Sequence, residues 1–156
     1  MFKKLAIFGA TAALALGAVS YADSIEGPFA GAIKARHGQM NLYALNMGVL
    51  GAMAKGEAEY DADAAAGAAA NILALSQLDA SAMWPAGSDN FSSDGTRALP
   101  AIWENFPDIA QKAADLTAAA EAMNGAAGES LEALQAAMPA MGAACGGCHR
   151  AYREPN

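Results

Sequence analysis

Residues 130–153 read SLEALQAAMPAMGAACGGCHRAYR. In this stretch Leu131, Leu134, Met138, Met141, Cys145, Cys148 and Tyr152 recur at steps of three and four. On an α-helix that spacing gathers them into one apolar stripe. Ser130, just ahead of the stripe, is a candidate N-cap. The same pattern occurs twice more. Ile33, Arg36, Met40, Tyr43, Met47, Leu50 and Ala54 form one set; Ile102, Phe106, Ile109, Ala113, Leu116, Ala120 and Met123 form the other. A less regular set, Ile72, Leu73, Leu75, Leu78 and Met83, lies between them behind Asp61, a second candidate N-cap.

The chain breaks at Lys55-Gly56, in a loop from Pro85 to Pro100 rich in Gly, Ser, Asp and Asn, and at Asn124-Gly125 to Gly128. Ala, Leu, Met, Glu and Gln dominate elsewhere, and these are helix formers. Four helical segments are expected, at about 27–54, 61–84, 100–123 and 130–153. Connections between them imply antiparallel neighbours, hence an all-α, up-down-up-down four-helix bundle. Pro107 and Pro139 fall inside the third and fourth segments, where each removes a donor and crowds the carbonyl four residues back. Kinks or a broken first turn are expected there.

Residues 1–22 read differently. Lys3 and Lys4 precede an apolar run from Leu5 to Val19, and Ser20-Tyr21-Ala22 offers small residues to an export peptidase. That is the order of a secretory signal peptide, with a run too short for a stable membrane span. Cleavage after Ala22 leaves a single domain, residues 23–156, with no stable membrane insertion. Losing Lys3 and Lys4 takes the formal charge from −7 to −9. Such an acidic surface argues against nucleic acid and anionic membranes as partners.

The chain has two cysteines, three apart. A disulfide between them would close too small a loop to stabilise a domain. Zinc would need two further ligands, and His37 is the one candidate left. A thioredoxin-like pair belongs in an α/β setting, which the helical pattern does not offer. Cys145-Gly146-Gly147-Cys148-His149 is instead the haem c attachment motif. Residues three apart share a helix face, so both sulfurs reach the vinyl groups along one porphyrin edge. His149 follows directly and binds the iron from the proximal side. Because both cysteines sit on the core stripe, one haem c should lie inside the bundle.

With Arg150-Ala151-Tyr152-Arg153 following at the end of the last helix, the motif resembles the class II c-type cytochromes, the cytochrome c-prime family. Arg36-His37-Gly38-Gln39-Met40, Ala54-Lys55-Gly56 with Tyr60-Asp61, Trp84-Pro85, and Leu99-Pro100-Ala101-Ile102-Trp103 are similar to other stretches of that family. The resemblance spans essentially the whole expected domain. It implies a distal position at Met40, a propionate contact for Arg36, and loop positions Ser88 and Asp89 beside a propionate. It also implies that relatives are often homodimers through their first two helices.

Met40 is thus the expected sixth ligand, a soft thioether on the core stripe. Met as plain core filling is the competing reading. His37, nearly one turn away, is a rival ligand. Arg36 on the stripe needs a partner for its charge; a haem propionate gripped by two N–H groups is expected, with snorkelling to solvent as the alternative. Trp84 and Trp103 read as core, and Tyr152 as packing near the haem edge.

These residues point to a periplasmic one-electron carrier, not an enzyme, serving periplasmic or membrane-bound redox proteins. If Met40 stays off the iron, the alternative is a five-coordinate, high-spin cytochrome that binds nitric oxide or carbon monoxide. A peroxidase would need a distal acid–base pair, for which His37 is the sole candidate.

Overall fold

The computed structural model describes residues 25–155. The leader expected at residues 1–22 and its cleavage point lie outside them. Five helices follow in order: α1 (Ala30–Ala54), α2 (Ala62–Ser76), α3 (Ala101–Glu104), α4 (Phe106–Ala126) and α5 (Leu131–Tyr152), with a 3-10 turn at Ser81–Met83. The four long ones make the bundle, and α3 is a single turn ahead of α4. Among the described residues the one extended pairing is a lone antiparallel bridge between Ala98 and Arg153.

Both expected N-caps form. Asp61 Oδ1 accepts from the Ala64 N–H at 3.0 Å, and Ser130 Oγ from the Ala133 N–H at 3.1 Å. Each satisfies a donor that the first helical turn leaves without an intrahelical acceptor.

Two segments differ from the sequence expectation. The second ends at Ser76, not near residue 84. Ser76 Oγ donates to the Leu73 carbonyl, and Asp79 Oδ1 takes the Ser81 N–H, which starts the 3-10 turn instead. These short polar side chains offer the backbone local partners outside the helix. The third segment is split at Asn105 (φ −128°, ψ 57°), and Pro107 sits in the first turn of α4. There its missing N–H costs nothing, whereas a continuous helix would drive its ring against the Trp103 carbonyl. Pro139 stays inside α5, which remains one helix from Leu131 to Tyr152.

The core is built from Leu50 and Met53 of α1, Ala65, Ala68, Ala69 and Ile72 of α2, Ala119, Ala120 and Met123 of α4, and Leu134 and Met141 of α5. Alanines on α2 and α4 let those backbones approach closely, and the long side chains of α1 and α5 fill the space between. Tyr60 donates its phenol hydrogen to the Ala127 carbonyl and ties the α1–α2 turn to the α4–α5 turn. No helix among the described residues is long and apolar enough to cross a membrane.

Replacing Ser130 by Ala should destabilise the haem-loaded protein by about 1 kcal/mol in chemical denaturation, with Asp at the same position close to wild type. An unchanged midpoint for the Ala variant would mean that this cap does not hold the start of α5.

Candidate haem site

The site gathers at the end of the bundle where α5 stops and α1 starts. Cys145, Cys148 and His149 are all half-buried on α5. Burial pushes both thiols up, so neither favours the thiolate that a redox-active or zinc-binding pair requires. For Cys148 the Lys112 ammonium opposes that rise, while Asp108 and Cys145 add to it. Burial, with the Arg153 charge behind it, pushes the His149 imidazole down. Its neutral form, the one that can bind a metal, is therefore favoured.

The position of α1 follows from its register with α5. Gln135 donates to the Ala54 carbonyl at 2.8 Å, and a Cβ on Gly51 would stand 3.9 Å from Met138 Cε. Tyr43 lies close enough to Cys145 to feel its charge. Each step back along α1 is thus matched by a step forward along α5. Continued at the same spacing, that register brings Met40 level with His149, and Arg36 level with Tyr152 and Arg153. Ile33 and Arg36 are buried on this face, but Met40 is 39% exposed. His37 is exposed as well.

Arg36 is 2% exposed. Nη1 donates to Ser88 Oγ (2.6 Å) and to the Met83 carbonyl (3.2 Å), and Nη2 to the Ser88 carbonyl (2.8 Å) and Thr96 Oγ1 (2.9 Å). The guanidinium carbon stands 4.7 Å from the centre of the Trp84 ring. Trp103 donates its indole N–H to the Trp84 carbonyl, and both rings are half-buried in this cluster.

All four acceptors of the guanidinium are neutral, and among the described residues no carboxylate pairs with it. Burial pushes the guanidinium down from its usual value. Asp89, though buried in the same loop, is not its partner. Burial raises the Asp89 carboxyl, but the Phe91 and Ser92 N–H groups outweigh that and hold it ionised. The four Nη hydrogens are taken up by Met83, Ser88 and Thr96.

At the end of α5, Tyr152 is buried and donates to Asp108 Oδ2 at 2.6 Å. That bond raises the phenol and is the largest influence on it. Asp108 Oδ1 in turn sits 3.8 Å from Lys112 Nζ. The Tyr152 carbonyl accepts from the Leu99 N–H.

Thr96 and Asp108 were not singled out by the sequence. A tyrosine hydroxyl on a core stripe does call for a partner, so a hydrogen-bond acceptor for Tyr152 was foreseeable. Which residue supplies it was not. Nothing in the loop composition marked Thr96.

These groups suit haem c. Two neutral thiols share a helix face with a neutral imidazole one residue on. A thioether stands level with that imidazole, and a buried cation without a carboxylate is nearby. A family model described as Cytochrome C' matches residues 31–153. The chain belongs to the cytochrome c-prime family. It is 47% identical over 122 residues to cytochrome c-554 of Cereibacter sphaeroides, covering 78% of this chain and 92% of that one. A solved cytochrome c' from Rhodobacter Spheriodes superposes with a TM-score of 0.81 at 34% identity, covering 83% of this chain and all of the other. Another cytochrome c', described as having an unusual ligand-controlled dimer dissociation, reaches 0.73 at 27% identity over 83% of this chain and 99% of its own. This cytochrome is accordingly a monohaem protein whose cofactor is one covalently bound haem c.

Burial, and after it the Cys145 charge, raises the Tyr43 phenol to about 12. A thioether at Cys145 would remove the second cause and leave the first. A folded-state value above the unfolded one, about 10, stabilises the fold below pH 10 and is lost as pH rises toward the folded value. Tyr43→Phe should therefore flatten the loss of unfolding free energy between pH 10 and 12, measured by far-ultraviolet circular dichroism. An identical slope in wild type and variant would contradict this assignment.

Proposed function

We propose that this cytochrome carries single electrons in the periplasm, with its haem c joined to Cys145 and Cys148 and its iron held between His149 and Met40. The observation that carries this reading is the α1–α5 register. Carried along both helices, it brings Met40 level with His149.

Bound in this way, haem c supplies a one-electron couple, and the protein's part is to hold and tune it. His149 presents a neutral imidazole from a helix whose end is tied to α4 through Tyr152 and Asp108. Met40 presents a soft donor from α1. Arg36 supplies a fixed positive charge, and its Nε–H is the donor left for a propionate. The apolar stripes of α1 and α5 keep water from the ring. A methionine–histidine pair raises the reduction potential relative to two histidines.

The leader at residues 1–22 supports export, with cleavage after Ala22 releasing the domain. The partners in this reading are periplasmic or membrane-bound redox proteins, and the protein is a carrier, not an enzyme. Leu42 and Leu45 of α1 and Leu78, just past the end of α2, expose an apolar patch, lining a shallow groove with Asn46, Asn71, Ala74 and Leu75. That patch suits a homodimer through the first two helices, in line with the relative described as a dissociable dimer.

The exposure of Met40 favours a second reading. No hydrogen bond fixes its side chain, and a thioether that stands away from the iron would leave a five-coordinate, high-spin haem able to bind nitric oxide or carbon monoxide.

Met40→Ala separates the two. The first reading expects a wild-type spectrum with the sharp, split bands of low-spin haem when reduced. The variant should become high-spin, bind carbon monoxide, and show a lower reduction potential. A wild-type protein that is already high-spin and takes up carbon monoxide readily would support the second reading. A spectrum that changes in His37→Ala but not in Met40→Ala would move the ligand to His37.

A further inference from the structure

The loop before α3 is fastened to both helices of the haem site. On one side it receives Arg36, which donates to Ser88 Oγ, the Ser88 carbonyl and Thr96 Oγ1. On the other it runs beside the exit from α5. Ala98 pairs with Arg153, the Leu99 N–H donates to the Tyr152 carbonyl at 3.0 Å, and the Glu154 N–H donates to the Arg97 carbonyl at 2.9 Å.

Thr96 joins the two sides. Its Oγ1 accepts from Arg36 at 2.9 Å and from the Ala98 N–H at 3.3 Å. The Arg153 N–H in turn donates to the His149 carbonyl at 3.2 Å. A connected path therefore runs from Arg36 through Thr96, Ala98 and Arg153 to His149. Arg36 lies one helical turn ahead of Met40. The start of α1 is also held by buried Ile33 and by Gln39, which donates to the Leu75 carbonyl at 3.0 Å, while its N-cap residue, Phe29, makes no side-chain capping bond.

We infer that Thr96 is a positioning residue for the sixth ligand. By tying α1 to the strand that leaves α5, it fixes the spacing between the helix that bears Met40 and the helix that bears His149. The inference rests on the reading that Met40 is the distal ligand. A thioether competes with a diatomic ligand only while its helix keeps it in reach. The apparent affinity for an external ligand is then scaled by the fraction of time the site is open. Loosening the path raises that fraction. Thr96 acts through Met40 and touches no ligand itself.

The test uses the reduced, haem-loaded protein and carbon monoxide, followed by optical titration. Thr96→Val keeps the shape and removes the acceptor. It should raise the apparent affinity for carbon monoxide about tenfold, the worth of one charge-assisted hydrogen bond, and add a high-spin component to the spectrum. Thr96→Ser should restore wild-type behaviour. Ser88→Ala, which removes a second acceptor of Arg36, should shift the affinity in the same direction by a smaller factor. In a Met40→Ala background Thr96→Val should have no further effect.

Wild-type affinity in Thr96→Val, or the same tenfold gain with Met40 already removed, would overturn the inference and leave the ligand assignment standing. A Met40→Ala protein with the wild-type spectrum would instead overturn the ligand assignment, and this inference with it.

Discussion

The antiparallel contact between α1 and α5 is the constraint on which the site depends. Gln135 bonded to the Ala54 carbonyl and Met138 packed on Gly51 fix it at one end of the bundle. Because the rise per residue is the same in both helices, that far end sets what faces what at the near end. His149 and Met40 come level through packing around Leu50, Met141 and Leu134, some turns away from either of them. A cofactor placed between them would itself belong to the core, with helices on both sides. The stripes of α1 and α5 hold the bundle together at one end and carry Met40 and His149 at the other.

The near end is governed by a buried charge. A guanidinium that is 2% exposed is costly unless its hydrogens are satisfied and its charge is balanced. The loop supplies the first requirement with three oxygens from Ser88 and Thr96 and one from Met83. None of these is negative, and in the proposed reading a haem propionate meets the second requirement. Arg36 thus orders a loop that carries no regular structure of its own.

Much of this was legible in the sequence, and the parts that were not share a cause. The stripes of the first and last helices, both N-caps and the Cys145–His149 motif are local patterns, set by residues within one or two turns of each other; the third stripe forms only in part, since the break at Asn105 leaves Phe106 71% exposed. Arg36 was legible as inward-facing, but its acceptors lie 47 to 60 residues away, and no periodicity reports such contacts. The same holds for Asp108 beneath Tyr152, 44 residues apart. The second helix was read too long because Leu78 and Met83 extend its apolar run. The Asp79–Ser81 turn, whose side chains offer the backbone local partners, ends it earlier. Proline gave the right warning at Pro107, where a first turn was available to receive it, and α5 absorbed Pro139 without ending.

The account turns on one bond, between the Met40 sulfur and the haem iron opposite His149. Iron-edge X-ray absorption on the reduced protein reads the first coordination shell directly. The account predicts the porphyrin nitrogens, one imidazole nitrogen and one sulfur scatterer, with the sulfur absent in Met40→Ala. A wild-type shell of nitrogens alone, whether five or six, would contradict it.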